Sequence, residues 1–427
     1  MLMYMKDRLF LFLVLLPFLS ILCAGNTVNA QNSCEAIKSF FVGFEGETIV
    51  GEVDEDSMTI SLPGVRYTSA IESVSYKLSA DWKVVVEPTA WLGSWKKEEV
   101  LSLVNGDGKK RIYKVLLPDF IRPDAKPYLV GYIPADYGTY PDVLSKIKWN
   151  YLTHLNIAFV FVKSSGELDD RFVKDRIAEL RDLAHENGVK VLFSLRSDEK
   201  EEFYNAIKNE YSRKILVDNV IKYAEENGLD GVDIDYETYD KVCPELIAFV
   251  RDLYNKKGRN LLQTCAVASW NPVALGGYTS EWHNYFDIIN VMTYDFTGTW
   301  SKEGQHSSFE QTVNGIEMWT NELGAPAYKL TMGLPFYGYS WDDEVFKDTP
   351  VAVSYEQILS AYPKEKVWEI DQVGRTYYNG CHTIEKKCLK AKEMNLGGVM
   401  VWQILHDTDN EKYSLMKVVG TTMDLGK

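Results

Sequence analysis

Two changes of pattern along this 427-residue chain predict an α/β protein, a (β/α)8 TIM barrel preceded by a small all-β sandwich. Residues 31–125 hold short alternating runs separated by turn signals, with no helical segment of useful length. From residue 127 to about residue 420, helical patterns ending in Gly or Asn alternate with near-continuous apolar runs, and eight such runs can be counted. A doubly wound open sheet is the alternative for this second region, but no Gly-rich phosphate fingerprint follows its first strand.

The N-terminal residues 1–30 have the layout of an export signal. Lys6 and Arg8 precede an apolar run over 9–24 that is short for a membrane span and contains Pro17. Val28 and Ala30 are small residues placed as a cleavage site requires, so cleavage after Ala30 and secretion are expected. A lipoprotein anchored at Cys23 is the alternative, although Leu22 is a poor residue to precede a lipidated cysteine. In 31–125 the runs SMTISLP, SVSYKLS, WKVVVEP and RIYKVLLP read as strands, with PG and NGDG as turns. Residues 121–127, IRPDAKP, carry two prolines and mixed charge and read as a linker.

The barrel strands are expected to begin near Tyr128, Thr153, Val189, Gly231, Leu261, Asp287, Leu330 and Gly397. RIAELRDLAHENG runs into VKVLFSL, NVIKYAEENG into LDGVDIDY, and KKCLKAKEMN into LGGVMVW. A Gly or Asn just past a helix supplies the left-handed residue that turns the chain back. In the first helix Phe172, Val173, Ile177, Leu180 and Leu183 trace one face.

Composition bounds the function. With 46% apolar and 25% charged residues the chain is of globular type, and disorder is not expected. A net charge of −15 argues against nucleic acid and anionic membranes as partners. The 11 Trp and 26 Tyr mostly serve packing, leaving a minority as platforms for the apolar face of a pyranose. Trp82, Trp91 and Trp95 are either glycan contacts or core residues of a spacer module. Six cysteines leave five after cleavage, and a chain this long needs no disulfide framework. Cys381 and Cys388 are near enough in sequence for a local pair, which the sequence does not decide. The six His are scattered, with neither HExxH nor CxxC, so no metal and no cofactor are expected.

The richest segment is NGLDGVDIDYET, residues 227–238, with four acids in eight residues. Side chains two apart share a strand face, so Asp233, Asp235 and Glu237 point one way and Val232, Ile234 and Tyr236 the other. In a barrel the acidic face is the interior, with Glu237 at the C-terminal mouth where barrel enzymes hold their chemistry. Asp230 has the other parity and is given a structural role at the strand start. The competing reading is a salt-bridged or calcium-binding cluster, but calcium loops are irregular and this run is regular. Stacked buried acids push one another's pKa upward and share a proton, as protonation of a glycosidic oxygen requires.

The run DGVDIDYE resembles the DxxDxDxE signature of glycoside hydrolase family 18, the chitinases and endo-β-N-acetylglucosaminidases. The resemblance covers about 128–420 and recurs in THLNIAF, NVMTYDF, GLPFYGYSW and GGVMVWQ, on the second, sixth, seventh and eighth strands. It departs at the third strand, where the family's SxGG is replaced by SLRS: Ser194 is kept, and Arg196 and Ser197 stand for the glycines. The N-terminal module is similar in pattern to the immunoglobulin-like domains of secreted bacterial glycan-degrading enzymes. The family resemblance implies a (β/α)8 catalytic barrel over 127–420, and catalysis by Glu237, Asp235, Asp233 and Tyr294. Glu237 would act as general acid and then base, while the substrate's own N-acetyl oxygen attacks the anomeric carbon. Asp235 would hold the acetamido N–H, Asp233 would share a proton with Asp235, and Tyr294 would bond the attacking carbonyl oxygen. Trp402 as floor, with Asp295, Met292, Tyr132, Phe159 and Ser194, would line the substrate site; core packing competes for Trp402, Tyr132 and Phe159, and barrel filling for Met292 and Asn290. About 14 residues separate Trp341 from Tyr355, so the extra α+β lobe that many chitinases insert after the seventh strand is not expected, and a shallow open groove is.

The expected activity is therefore cleavage of β-1,4-linked N-acetylglucosamine polymers by a monomeric secreted hydrolase. Release of N-glycans by an endo-β-N-acetylglucosaminidase is the alternative. A non-catalytic glycan-binding protein is a third reading, disfavoured because the acid at 237 is present.

Overall fold

The computed structural model describes residues 35–44, 47–62, 71–88, 98–116, 127–134, 144–197, 199, 201–237, 244–257, 261–269 and 282–426. The signal segment, Cys23, Cys34, Cys243, Trp91, Trp95 and most of the linker lie outside the described residues.

The first unit is all β. Strands β1 (Ile37–Phe44), β2 (Glu47–Asp54), β3 (Thr59–Ser61), β4 (Ile71–Leu78), β5 (Trp82–Val84), β6 (Glu98–Asn105) and β7 (Lys110–Leu116) form one ladder in the order β4-β1-β2-β3-β7-β6-β5. It folds over a single core in which Phe40 and Val42 meet Ile60, Leu101, Tyr113 and Val115. Strand β2 makes the corner: residues 47–51 pair with β1 and residues 52–54 with β3. Strands β1, β2 and β6 are additional to those the pattern singles out, and Gly43 and Gly51 weaken the strand signal in the first two. Trp82 is a core residue, 6% exposed, with the Arg111 guanidinium 5.2 Å from its ring centroid. Its core reading therefore stands over the glycan one.

The second unit contains β8 (Tyr128–Pro134), β9 (His154–Val162), β10 (Leu168–Asp169), β11 (Lys190–Arg196), β12 (Gly231–Asp235), β13 (Leu262–Ala268), β14 (Ile288–Met292), β15 (Leu330–Pro335), β16 (Tyr337–Ser340), β17 (Val351–Ser354), β18 (Gln372–Val373), β19 (Thr376–Tyr377) and β20 (Gly398–Trp402). Strands β8, β9, β11 to β15 and β20 are parallel neighbours in that order, and β20 pairs back onto β8, which closes a cylinder of eight. The helices are α1 (Ile177–Glu186), α2 (Glu202–Ile207), α3 (Glu210–Glu226), α4 (Pro244–Lys256), α5 (Phe309–Glu317), α6 (Tyr355–Ala361), α7 (Cys381–Glu393) and α8 (Leu415–Thr422). Alternation decides what each strand residue does. Val232, Ile234 and Tyr236 join the layer between strands and helices, whereas Val130, Tyr132, Ala266, Tyr294 and Met400 form a separate cluster inside.

Local signals behave as the residue chemistry dictates. Gly188, Gly228 and Asn395 take positive φ of 70°, 63° and 53° just past α1, α3 and α7. Asp230 sits at the base of β12, where its Oδ2 accepts from Val191 N at 2.7 Å and faces His185 Nε2 at 2.8 Å. That is the structural role expected of it.

Two expectations are corrected, for α1 and for the connection after β15, and the open question of a Cys381–Cys388 pair is answered. Helix α1 begins only at Ile177, so Phe172 lies before it and is 44% exposed; Ala184 joins Ile177 and Leu180 on the buried face, and Leu183 is half-buried. Cys381 and Cys388 are both free thiols, one at the start of α7 and the other buried in its middle. Most consequential is the connection after β15, which carries a small α+β lobe. Its sheet has the order β17-β16-β19-β18, with α6 packed beside it. The two-residue strands β18 and β19 are too short to leave a sequence pattern, so the lobe is hidden in the spacing.

Candidate active site

The acid ladder is built from the lumen floor upward. Asp233 is 0% exposed and accepts hydrogen bonds from four strands. Its Oδ2 accepts from the Tyr132 hydroxyl at 2.8 Å and Ser194 Oγ at 2.7 Å, and its Oδ1 from Thr264 Oγ1 at 2.6 Å and Asn290 Nδ2 at 3.5 Å. Thr331 Oγ1 donates to Asn290 Oδ1 at 2.7 Å, which sets the amide so that its NH2 faces Tyr132 and Asp233. The register places these residues side by side, with Ser194 and Thr264 directly opposite Asp233. Burial still raises the Asp233 carboxyl above its ordinary range, against the pull of its four donors.

Asp235, one step higher, is 4% exposed. Its Oδ2 accepts from Arg196 Nη1 at 3.3 Å, and its carboxyl is raised well above the ordinary range, first by burial, then by the Glu237 charge, with Arg196 opposing and Asp233 adding. β12 ends at Asp235, so Glu237 stands two residues beyond it at the mouth, with a 30% exposed side chain. Arg196, last residue of β11, reaches both acids: Nη1 lies 2.9 Å from Glu237 Oε1 and 3.3 Å from Asp235 Oδ2.

Tyr294 follows β14 on the inward parity of Asn290 and Met292. Its hydroxyl donates to Met400 Sδ at 3.6 Å, and burial with the charges of Asp295, Asp235 and Glu237 holds its pKa well above the ordinary tyrosine value. It therefore remains an O–H donor at any working pH. A Cβ at Gly333 would meet the Tyr294 ring at 2.9 Å and the Val291 carbonyl oxygen at 2.5 Å, so the glycine is what admits the ring. Met292 is partly buried against the same cluster.

Asp295 has a left-handed φ of 63° and accepts from Tyr337 at 2.5 Å and Tyr339 at 3.0 Å through Oδ1. His306 lies beneath, its Nε2 bonded to the Tyr337 carbonyl at 3.1 Å and its Nδ1 3.5 Å from Asp295, with burial keeping the imidazole neutral to lower pH than usual. On the opposite wall Phe159 stacks on Trp402, centroids 5.8 Å apart and planes 24° off, and Tyr132 lies 5.8 Å from Trp402. Phe159 turns inward because β9 bulges there: Ser194 pairs with Ala158, but Leu195 pairs with Val160.

All ten residues named from the sequence thus meet in or at the rim of one lumen. Thr264 and Thr331 were not among them, and the signal that identifies Thr264 is its inward parity directly opposite Asp233. Tyr337, Tyr339 and His306 around Asp295 are likewise additional. Among the described residues no group of three or more His, Cys, Asp or Glu is arranged to hold a metal ion. A buried carboxyl held protonated beside a second one at the mouth, a fixed tyrosine hydroxyl and an aromatic floor together can protonate a leaving oxygen beside a bound ring.

Known proteins agree with this geometry. The family model described as glycosyl hydrolases family 18 matches residues 128–407. The crystal structure of a chitinase from Bacteroides thetaiotaomicron is 38% identical with a TM-score of 0.66, covering 70% of this chain and 97% of that one. The chitinase ChiB from the chitin utilization locus of Flavobacterium johnsoniae is 31% identical with a TM-score of 0.58, covering 70% and 94%. Probable chitinase 10 of Drosophila melanogaster is 26% identical over 283 residues, which is 53% of this chain and only 12% of that much longer protein. With the cylinder, the ladder of acids on its fourth strand and a family match over most of its length, the chain belongs to glycosyl hydrolases family 18.

Proposed function

We propose that the protein hydrolyses β-1,4 linkages of N-acetylglucosamine polymers, with retention and with the substrate's acetamido group as nucleophile. The observation that carries this reading is the stacking of Asp235 and Glu237, both reached by Arg196 Nη1, above a fully bonded Asp233 in the lumen that also holds Tyr294. Asp233 and Asp235 lie on β12 and Glu237 follows two residues past its end, so the acids are stacked along one segment rather than opposed across a sugar as the two-carboxylate mechanisms require. In the proposed cycle Glu237 protonates the leaving oxygen. Asp235 turns toward the acetamido N–H and stabilises the cyclic cation, and Tyr294 donates to the attacking carbonyl oxygen. Glu237 then deprotonates the incoming water. Similarity to two chitinases at 38% and 31% identity supports a chitin-type substrate. The basic, apolar and small-residue order of 1–30 supports export.

Incubation of the purified protein with chitooligosaccharides and, separately, with a high-mannose glycoprotein tests the reading. Shorter oligosaccharides that appear first as the β-anomer, absent with E237Q, are expected. Glycan release from the glycoprotein alone would transfer the activity to N-glycans. Binding of chitooligosaccharide with no product from the unmodified protein would reject hydrolysis altogether.

A further inference from the structure

Arg196 occupies a position where the family's usual motif has glycine, and its surroundings give it a definite task. The side chain leaves β11 on the same face as Ser194, one step nearer the mouth. Its Cζ lies 5.0 Å from the Phe159 ring centroid, and Phe159 is itself stacked on Trp402. The guanidinium is thus supported from one side by an aromatic pair and bonded on the other to Glu237 and Asp235 through Nη1. No glycine can supply either contact.

The charges around the acid pair are asymmetric. Strand β12 contributes Asp233, β8 contributes Tyr132, and β14 contributes Tyr294 and Asp295 just beyond its end. Cys265 on β13 points outward into the layer beneath the helices. Every one of these is anionic or neutral, so among the described residues Arg196 is the cation that faces the pair. Its positive charge favours the pair with its proton lost, whereas burial and the neighbouring carboxylates favour the pair with its proton kept.

Resting on the hydrolase reading above, we propose that Arg196 is a positioning residue, a clamp that fixes Glu237 against Asp235 and sets the highest pH at which the pair still holds a proton for the leaving sugar. The clamp substitutes a charge for the empty space of the usual motif. Its cost is a narrower working range on the alkaline side. Its gain is a carboxyl held in one orientation before substrate arrives.

The test uses the full chain as R196Q and R196K. In kcat/KM against pH on chitotetraose, R196Q is expected to move the alkaline limb upward by about 1 unit, at the low end of what a partly exposed opposite charge provides. R196K keeps the charge and is expected to leave that limb near the parent position while lowering kcat through the lost two-carboxylate contact. The same shift is to be read without substrate, by 13C-carboxyl NMR titration of Asp235 and Glu237 in the parent and in R196Q. An R196Q limb and titration that coincide with the parent's, or lie below them, would overturn the clamp. Because the titration needs no turnover, the clamp is judged even if the parent protein fails to cleave chitotetraose, a failure that would count against the hydrolase reading alone.

Discussion

Asp235 shows how a residue proposed for catalysis weighs on the fold. Its folded-state pKa lies above the unfolded value, so between the two the folded state binds more protons and stability falls as pH rises. Below the unfolded value both states are protonated and the penalty vanishes. D235N removes the buried charge at nearly constant shape. It is expected to melt at a higher temperature than the parent at pH 8, to approach it at pH 4, and to lose most hydrolysis; equal melting at pH 8 would contradict the burial account. Tyr294 allows the complementary test. Y294F keeps the ring that Gly333 accommodates and removes one fixed donor, so kcat on chitotetraose is expected to fall by about 10²-fold or more with little change in melting temperature. At this scale the sequence was informative where a residue type is unusual for its place. Four acids on one strand stand out, but a threonine such as Thr264 does not, although it makes the shortest bond to Asp233. The inward turn of Phe159 depends on a bulge that leaves no mark in the sequence.

Among the elements, α5, like α6, is fixed at its start by its own residues. Ser308 caps it in a reciprocal pair with Gln311, accepting from Gln311 N at 3.2 Å while the Gln311 side chain accepts from Ser308 N at 3.3 Å. The helix follows the segment that carries Asp295 and His306, so its start anchors one rim of the site. S308A is expected to cost about 1 kcal/mol, read as a lower urea midpoint at unchanged slope. The barrel strands and helices such as α1, α3 and α7 were legible because each buries a regular stripe or a continuous apolar run, whereas the short α2 and α8 were not singled out. The lobe after β15 was not, because β18 and β19 are held by pairing with neighbours rather than by any pattern of their own.

For the molecule as a whole, several buried imidazoles determine its response to acid. His283 is brought down to about 3 and His406 to about 4, both by burial. From pH 6.5 down to those values the unfolded chain binds more protons, so stability falls as pH falls, each group contributing up to about 1.4 kcal/mol per unit. Asp233 and Asp235 act in the opposite sense. H406Q is therefore expected to show a shallower loss of unfolding free energy between pH 6 and pH 4 than the parent, measured by urea titration at each pH. The fold class was legible at this scale because eight repeats of one pattern are hard to mistake.

The closing seam is a fact of geometry with a consequence for synthesis. Gly398 pairs with Tyr128, and a Cβ on it would lie 2.0 Å from the Tyr128 carbonyl oxygen, so the first and last staves of the cylinder touch backbone to backbone. Nearly the whole barrel must leave the ribosome before those two staves can meet. Until then β8 and β15 each present an unpaired edge, and the acids of the lumen stand open to water. A nascent or prematurely ended chain is in that sense an unlatched hoop, able to stick to others of its kind but not to bring together the stacked acids of its lumen.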